Sequence, residues 1–436
     1  MTDSRPRDAA CRFLGEAARD YPSLFPRPVD TRGLDDRDRR LAEAIVRVSM
    51  IRWSTLTALI DHVLDRDWDK VDPKVQGGLL AGAAQLFLLD KIPDHAAVAV
   101  TVEWIKRNGH HRGTAGMVNA VLRRLVDLRG SRIERADGTA RDQLLLSNGS
   151  GWQLAEEVFA EDQVSRIAQQ TGHCEFLVRR WFVALGKQDA TKLALHGLCE
   201  APIILHGAAT EPGLVPHDEV GYHVLAEGQS PAEVLARHAS AVIQDPAASE
   251  AGRRTIGLQP GVILDYCAGR GTKTLQLASL HPKSRVLATE VNQSRFNDLV
   301  RIGEQDDRIE VIEPGALREL DEKVDLLVLD VPCSNTGVLA RRPEARSRFS
   351  SKGLEDLVGI QRQIVADSIP CLSPGAHVLY TTCSLEPEEN HSMPRWLKKW
   401  HDWELVDESL VLPAGQPGDP PSSYHDGGYS ALLQAH

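Results

Sequence analysis

The 436-residue chain has no Cys-x-x-Cys pair, no apolar run long enough to span a bilayer, no apolar core near its start and no internal repeat. Each absence removes a class of protein. Seven cysteines, at 11, 174, 199, 267, 333, 371 and 383, are odd in number and widely spread. That spacing argues against a zinc centre or a redox pair and makes free thiols the expectation. No metal and no membrane span are expected. The opening MTDSRPRDAACRFL mixes acids with bases where a secretory segment carries an apolar core, so a cytoplasmic location is expected. An excess of basic residues is also lacking: 50 Lys and Arg face 61 Asp and Glu, a net charge of -11. Any contact with nucleic acid must then depend on local patches rather than on the overall field.

The composition, 42% hydrophobic and 25% charged, is that of a globular protein, and the length suggests two or three domains. Two basic patches stand out. One is WIKRNGHHRG (Trp104 to Gly113), followed by Arg123 and Arg124; the other is ARRPEARSRFSSK (Ala340 to Lys352), with Arg341, Arg342, Arg346 and Arg348. Taken alone, each fits a solvated helix face as well as a phosphate contact.

Helical periodicity dominates from Arg7 to about Leu128: Leu41, Ile45, Val48 and Trp53, then Leu56, Leu59, Ile60, Val63 and Leu64, fall on common faces. GGLLAGAAQLFLLD predicts a small-residue helix packed close against its neighbours. Gly130 to Gly151 is polar and without a long period, which predicts a linker, and a second helical piece follows from about Glu161 to His196. PIILHG, GYHVLAEG and SAVIQDPAAS then suit a small β-containing subdomain. From Leu258 onward short apolar runs alternate with helical stretches, the pattern of βαβ units and a parallel sheet covered by helices. GGYSALLQ is expected at the sheet's edge. The expected division is a helical domain over 1–135, linker helices and a small α/β subdomain over 150–255, and an α/β domain over 256–436.

Chemistry gathers in the last part. ILDYCAGRGTKT (Ile263 to Thr274) reads as a strand, a glycine turn and a helix start, a place where backbone amides can face a ligand. Glu290 ends the next strand at the separation where an acid takes ribose hydroxyls. The missing third glycine of GxGxxG lowers the dinucleotide reading and leaves an adenosyl ligand. LDVPCSNTG places Asp330 and Cys333, and YTTCS places Cys383, at the carboxyl ends of neighbouring strands, where open parallel sheets bind their ligands. One strand-end cysteine is more often core than catalyst; two side by side reverse that.

CAGRGTK, Glu290, DVPCSNTG and TTCS together resemble the RNA cytosine-C5 methyltransferases, and LDDRDRRLAEAIVRVSMIRW, KIPDHAAVAVTVEWIKR and GMVNAVLRRL resemble a NusB-like RNA-binding domain. The combination is similar to bacterial 16S ribosomal RNA methyltransferases and covers nearly the whole chain. The resemblance implies a multidomain protein: an all-α NusB-like domain, a small α/β subdomain and a Rossmann-like methyltransferase domain using S-adenosylmethionine. It implies cofactor contacts from Cys267, Ala268, Gly269, Arg270, Gly271, Thr272, Lys273, Glu290 and Asp330. It makes Cys383 the thiolate that adds to cytosine C6, Cys333 the group that assists release, and Asp330 a partner of ring N3. Arg123, Arg124, Arg341 and Arg342 are the expected RNA contacts. The chain departs from the family where Gly269, Arg270, Gly271 and Thr272 replace Ala-Pro-Gly-Gly, where EPGA (Glu313 to Ala316) replaces a Gly-Asp-Ala segment, and where PIILHG replaces an Arg-Val-Asn segment. Two other readings are a NusB-like assembly factor without catalysis and an enzyme acting on transfer RNA.

Overall fold

A computed structural model describes residues 5–24, 27–108, 113–208, 210–238, 241–320 and 323–435. Gly109 to Arg112 of the first basic patch lie outside them. The chain forms two compact units.

One unit comprises residues 1–200 with 339–350 and 416–419. Its longer helices are α1 (Arg5–Asp20), α2 (Asp36–Ile51), α3 (Trp53–Val63), α4 (Pro73–Phe87), α5 (Asp94–Asn108), α6 (Thr114–Leu128), α7 (Gln163–Thr171) and α8 (Glu175–His196). Their starts are chemically marked. Asp35 caps α2 by accepting from the Asp38 amide at 2.8 Å, and Asp72 accepts from the Lys74 amide at 2.9 Å with Pro73 in the first turn of α4. From Val75 to Phe87 every residue of α4 is buried, so this helix is the axis of the core. A Cβ on Gly77 would lie 2.2 Å from the Gly15 backbone nitrogen. Helices α1 and α4 therefore cross backbone against backbone, the close packing predicted for the small-residue helix.

The expected linker is instead folded. Strands β1 (Ser131–Ile133), β2 (Gln143–Leu145) and β3 (Gly151–Gln153) form an antiparallel sheet in the order β1-β3-β2. Three-residue strands are too short to show a period. A tertiary contact holds the piece down: Trp152 Nε1 donates to the Phe87 carbonyl at 2.9 Å, and the Arg129 and Arg132 guanidinium groups lie over its ring.

The other unit comprises residues 201–338, 351–415 and 420–436. Strands β4 (Ile204–His206), β5 (Leu214–Pro216), β6 (Tyr222–Leu225) and β7 (Val242–Ile243) make the small antiparallel sheet. The large sheet holds β8 (Val262–Asp265), β9 (Arg285–Ala288), β10 (Ile309–Val311), β11 (Val324–Asp330), β12 (Leu372–Thr382), β13 (Glu404–Val411) and β14 (Gly428–Gln434) in the order β10-β9-β8-β11-β12-β14-β13. The first five are parallel to one another, and β14 and β13 add antiparallel pairings. GYSALLQ is thus an inner strand, not the edge. The edge on that side is ELVDESLV, whose charged, largely exposed residues conceal its strand character and discourage pairing with another chain. The chain leaves β8 toward β9 and β10 on one side and returns to β11 on the other. This reversal opens a crevice at the carboxyl ends of β8 and β11.

Candidate active site

Beyond β8 the chain turns through Gly269 (φ 59°) and Gly271 (φ 86°) into the helix Thr272–Leu280. Both φ values are left-handed and favour glycine. At Gly271 packing adds a second demand, because a Cβ there would sit 2.7 Å from Ile302 Cδ1; at Gly269 a Cβ would meet open space. Beneath the turn Asp265 is fully buried. Its Oδ2 accepts from Thr274 Oγ1 at 2.7 Å, while Oδ1 has no donor among the described residues. Burial, reinforced by the negative Asp330 and Glu290 and opposed by Thr274 and Lys273, pushes this carboxyl up to about 7. Glu290 is also buried, with Oε1 accepting the Asn292 amide at 2.7 Å. The Cys267 thiol is pushed up by burial and then by Asp265, Asp330 and Glu290, so it stays protonated and is no nucleophile. An orphaned acceptor, an open glycine face and a second buried acid suit a ligand that presents hydroxyl or amino donors.

Lys273 reaches across the crevice to Asp330, with Nζ 2.7 Å from Oδ2. Burial acts to lower the Lys273 pKa, but Asp330, Asp265 and Cys383 outweigh it and hold the ammonium above its ordinary value. Asp330 ends β11 opposite Thr381 of β12. Cys333 and Cys383 follow the two strand ends, and their sulfurs are 3.0 Å apart. Cys383 Sγ also lies 3.3 Å from Asn335 Oδ1, while Asn335 Nδ2 donates to the Cys333 carbonyl at 2.8 Å. The Cys333 thiol is raised well above its usual range by its hydrogen bond with Cys383, then by burial and the negative charges of Cys383 and Glu389. Cys333 is therefore a thiol at neutral pH, able to donate its S–H to Cys383.

A buried network joins the two strand-end loops. Glu389, fully buried, accepts from the Ser334 amide at 2.9 Å, from Ser334 Oγ at 2.5 Å and from Gln361 Nε2 at 2.9 Å. Its carboxyl is pushed up by burial, against the pull of those hydrogen bonds. The Leu385 amide donates to Thr336 Oγ1 at 2.8 Å, and the Gly337 amide to the Cys383 carbonyl at 2.9 Å. A Cβ on Gly337 would come within 2.9 Å of the Cys383 carbonyl oxygen and 2.6 Å of that of Gly427, so glycine is what admits this close approach. Asp265, Asn335 and Glu389 were not among the candidates read from the sequence. Asp265 and Asn335 lie inside the strand-end motifs and Glu389 five residues past the last of them; burial of Asp265 and Glu389, and the contact of Asn335 with Cys383, separate them from ordinary polar loop residues.

Residues 258–424 match the family described as 16S rRNA methyltransferase RsmB/F, and residues 14–127 match the NusB family. A putative methyltransferase of Mycobacterium tuberculosis is 30% identical over 87% of this chain and 84% of its own length. The chain belongs to the RsmB/F methyltransferase family. It is an RNA methyltransferase. The ribosomal RNA small subunit methyltransferase B of Xanthomonas campestris pv. campestris is 28% identical, over 82% of this chain and 79% of its own. Among solved structures, PH0851 superposes with a TM-score of 0.68 at 18% identity, covering 98% of each chain, and shares the fold.

Set against that family, the altered turn is sterically harmless. Arg270 is 73% exposed and pairs with Asp298 at 3.2 Å, leaving the face of Gly269 open. Arg123 is exposed on α6; its neighbour Arg124 is engaged by Asp65 through contacts of 2.9 and 2.8 Å. Arg341 and Arg342 are exposed in the segment 339–350 that folds with the helical unit. Arg346 is not a surface residue. Its guanidinium is fully buried and donates to the carbonyls of Leu339, Ile51, Thr171 and Gly197, which removes it from the expected phosphate-holding loop.

Proposed function

We propose that this methyltransferase modifies carbon 5 of cytosine in 16S ribosomal RNA in the cytoplasm, with S-adenosylmethionine as donor and Cys383 as covalent nucleophile. The observation that carries the reading is the 3.0 Å approach of Cys333 and Cys383 at adjacent strand ends beside the Lys273–Asp330 pair. Small-subunit ribosomal RNA is the substrate named for the Xanthomonas relative, which supports the choice of RNA.

The buried acceptor of Asp265, the open face of Gly269 and the carboxylate of Glu290 fit an adenosyl group, with Cys267 to Lys273 lining its path. Bound S-adenosylmethionine supplies an electrophilic methyl group. Cytosine C5 is too weak a nucleophile to take it unaided. The Cys383 thiolate forms a bond to C6, moving electron density toward C5 and N3 and dividing one hard step into easier ones. Lys273, held beside Asp330, offsets the charge that develops at N3. Once C5 carries the donated methyl group, passage of the C5 proton to water restores the ring and expels Cys383 as a thiolate, which the Cys333 S–H stands at hydrogen-bond distance to receive. The base must leave its stack to reach the sulfurs, so the target is single-stranded or flipped. Residues 1–135 serve as the RNA-binding domain and 256–436 as the catalytic one. Arg123, Arg124, Arg341 and Arg342 supply phosphate contacts.

The test is transfer of labelled methyl to unmodified 16S RNA by the native chain, Cys383→Ala and Cys333→Ala. Transfer by the native chain, its loss in Cys383→Ala and a trapped protein–RNA adduct in Cys333→Ala are expected. Native-level transfer by Cys383→Ala would overturn the nucleophile's assignment, and absence of transfer and of cofactor binding in the native chain would favour an assembly factor.

A further inference from the structure

The helical unit holds a cleft of about 650 Å³, a size suited to a nucleotide, whose wall includes Arg40, Glu43, Arg47, Arg52 and Asp90. Arg52, between α2 and α3, is only 4% exposed. Its Nε and Nη2 are buried and have no acceptor among the described residues. Arg346, the fully buried neighbour whose charge bears on Arg52, contrasts with it: that guanidinium is met by carbonyl oxygens on several sides. Two cations thus sit together in the interior, and Arg52 has no carboxylate partner among the described residues. Burial and the charge of Arg346 lower Arg52 to about 9, so it remains protonated at neutral pH. A buried cation without a partner is costly, and an anion entering the cleft removes that cost.

The other charges on the wall do not fill this role. Asp90 is held by Arg132 at 2.9 Å, Glu200 accepts from Ser147 Oγ at 2.9 Å, and Glu43 is exposed to solvent. Arg40 and Arg47 are exposed, have no ion-pair partner among the described residues, and stand seven residues apart on α2. That interval is about 10 Å along a helix. A line of cations leading to a buried guanidinium suits the successive phosphates of a strand better than one small ion.

We propose that this cleft binds the phosphate backbone of a single-stranded RNA segment, with Arg52 as the buried anchor and Arg47 and Arg40 at its rim. The proposal rests on RNA being the substrate but adds a binding site separate from Arg123, Arg124, Arg341 and Arg342.

The full-length protein is tested for binding of a labelled 12-nucleotide single-stranded RNA by anisotropy across a salt series, and for melting with and without inorganic phosphate. Binding is read without methyl transfer, so failure of the catalytic assignment leaves it intact. Arg52→Met is expected to melt at or above the native temperature in phosphate-free buffer, because it deletes an unpaired buried charge. It is expected to bind RNA about tenfold more weakly, with the slope of log K against log salt smaller by about one, and Arg47→Gln with Arg40→Gln to act in the same direction. Phosphate is expected to raise the melting temperature of the native chain and not that of Arg52→Met. Native affinity and salt slope in Arg52→Met, or in the rim variant should Arg52→Met not fold, would overturn the proposal. So would phosphate protection through Arg52 in a native chain that binds no RNA, since the site would then serve a free anion.

Discussion

Lys273 and Arg52 are both cations drawn inside the protein, one in each compact unit, and their surroundings are opposite. Burial works against both. Around Lys273 the acids Asp330 and Asp265 overcome it and raise the ammonium's pKa, whereas around Arg52 a second cation adds to it. The Lys273 charge in the strand-end crevice is thus balanced as it stands, and under the proposed mechanism it is fixed where charge would develop. The helical cleft is unbalanced and poised for an anion. Under the proposals above, the two sites use a buried charge in two ways: one orients chemistry, the other captures a ligand.

The sharpest way to break this comparison is to take the cation out of the balanced site. Lys273→Met leaves Asp330 and Asp265 facing each other without compensation. Single-turnover methyl transfer should fall by about a hundredfold or more, and stability by only about 1 kcal/mol, because the Asp330 left behind is partly exposed and screened by solvent. Transfer within threefold of native would mean that the pair is a structural contact only. Arg52→Met, which removes a charge that has no partner, should leave stability unchanged or improved; the opposite signs of the two effects are the comparison in measurable form.

The crevice was legible in the sequence because its parts are contiguous motifs at strand ends: the glycine turn, DVPCSNTG and TTCS each occupy a few adjacent residues, and alternation of apolar and helical stretches places them together at the carboxyl ends of one sheet's strands. Glu389 was not legible. It lies in EPEEN beside Glu386 and Glu388, and composition does not reveal which acid of such a loop is turned inward to the Ser334 amide. Arg346 failed for the converse reason. Its neighbours in sequence are basic and loop-like, while the carbonyls that enclose it come from Ile51, Thr171 and Gly197, far away along the chain. Strand β13 escaped because an edge strand carries charge, and the β1–β3 sheet because its strands are only three residues long.

Asp265 offers a test of intermediate size. Its folded-state carboxyl is raised, chiefly by burial, to about 7, against about 4 in an unfolded chain. The protonated acid favours the fold, so its contribution is fully present below about pH 4 and is lost as pH rises through about 7. Asp265→Asn keeps an acceptor for Thr274 and cannot ionise. Between pH 4 and pH 8 the variant should therefore gain on the native protein by on the order of 2–4 kcal/mol, measured by urea unfolding without cofactor. A difference independent of pH would show that Asp265 is ionised throughout or reached by solvent.

The smallest effect belongs to Arg270, the most visible departure from the family's turn. The crevice tolerates it because the backbone, rather than this side chain, shapes the ligand face. Its guanidinium is largely exposed and shares Asp298 with Arg301, whose Nη1 also lies 3.2 Å from that carboxylate. An exposed pair of this kind contributes about 0–1 kcal/mol. Arg270→Ala should consequently shift stability by less than about 1 kcal/mol and cofactor affinity by no more than about threefold. Gly271→Ala, one residue on, must accommodate both a left-handed backbone and the 2.7 Å approach of Ile302, and should cost more than Arg270→Ala on each measure. Cofactor affinity lost at Arg270 and kept at Gly271 would reverse this account, making the side chain the ligand contact and the glycine conformation incidental.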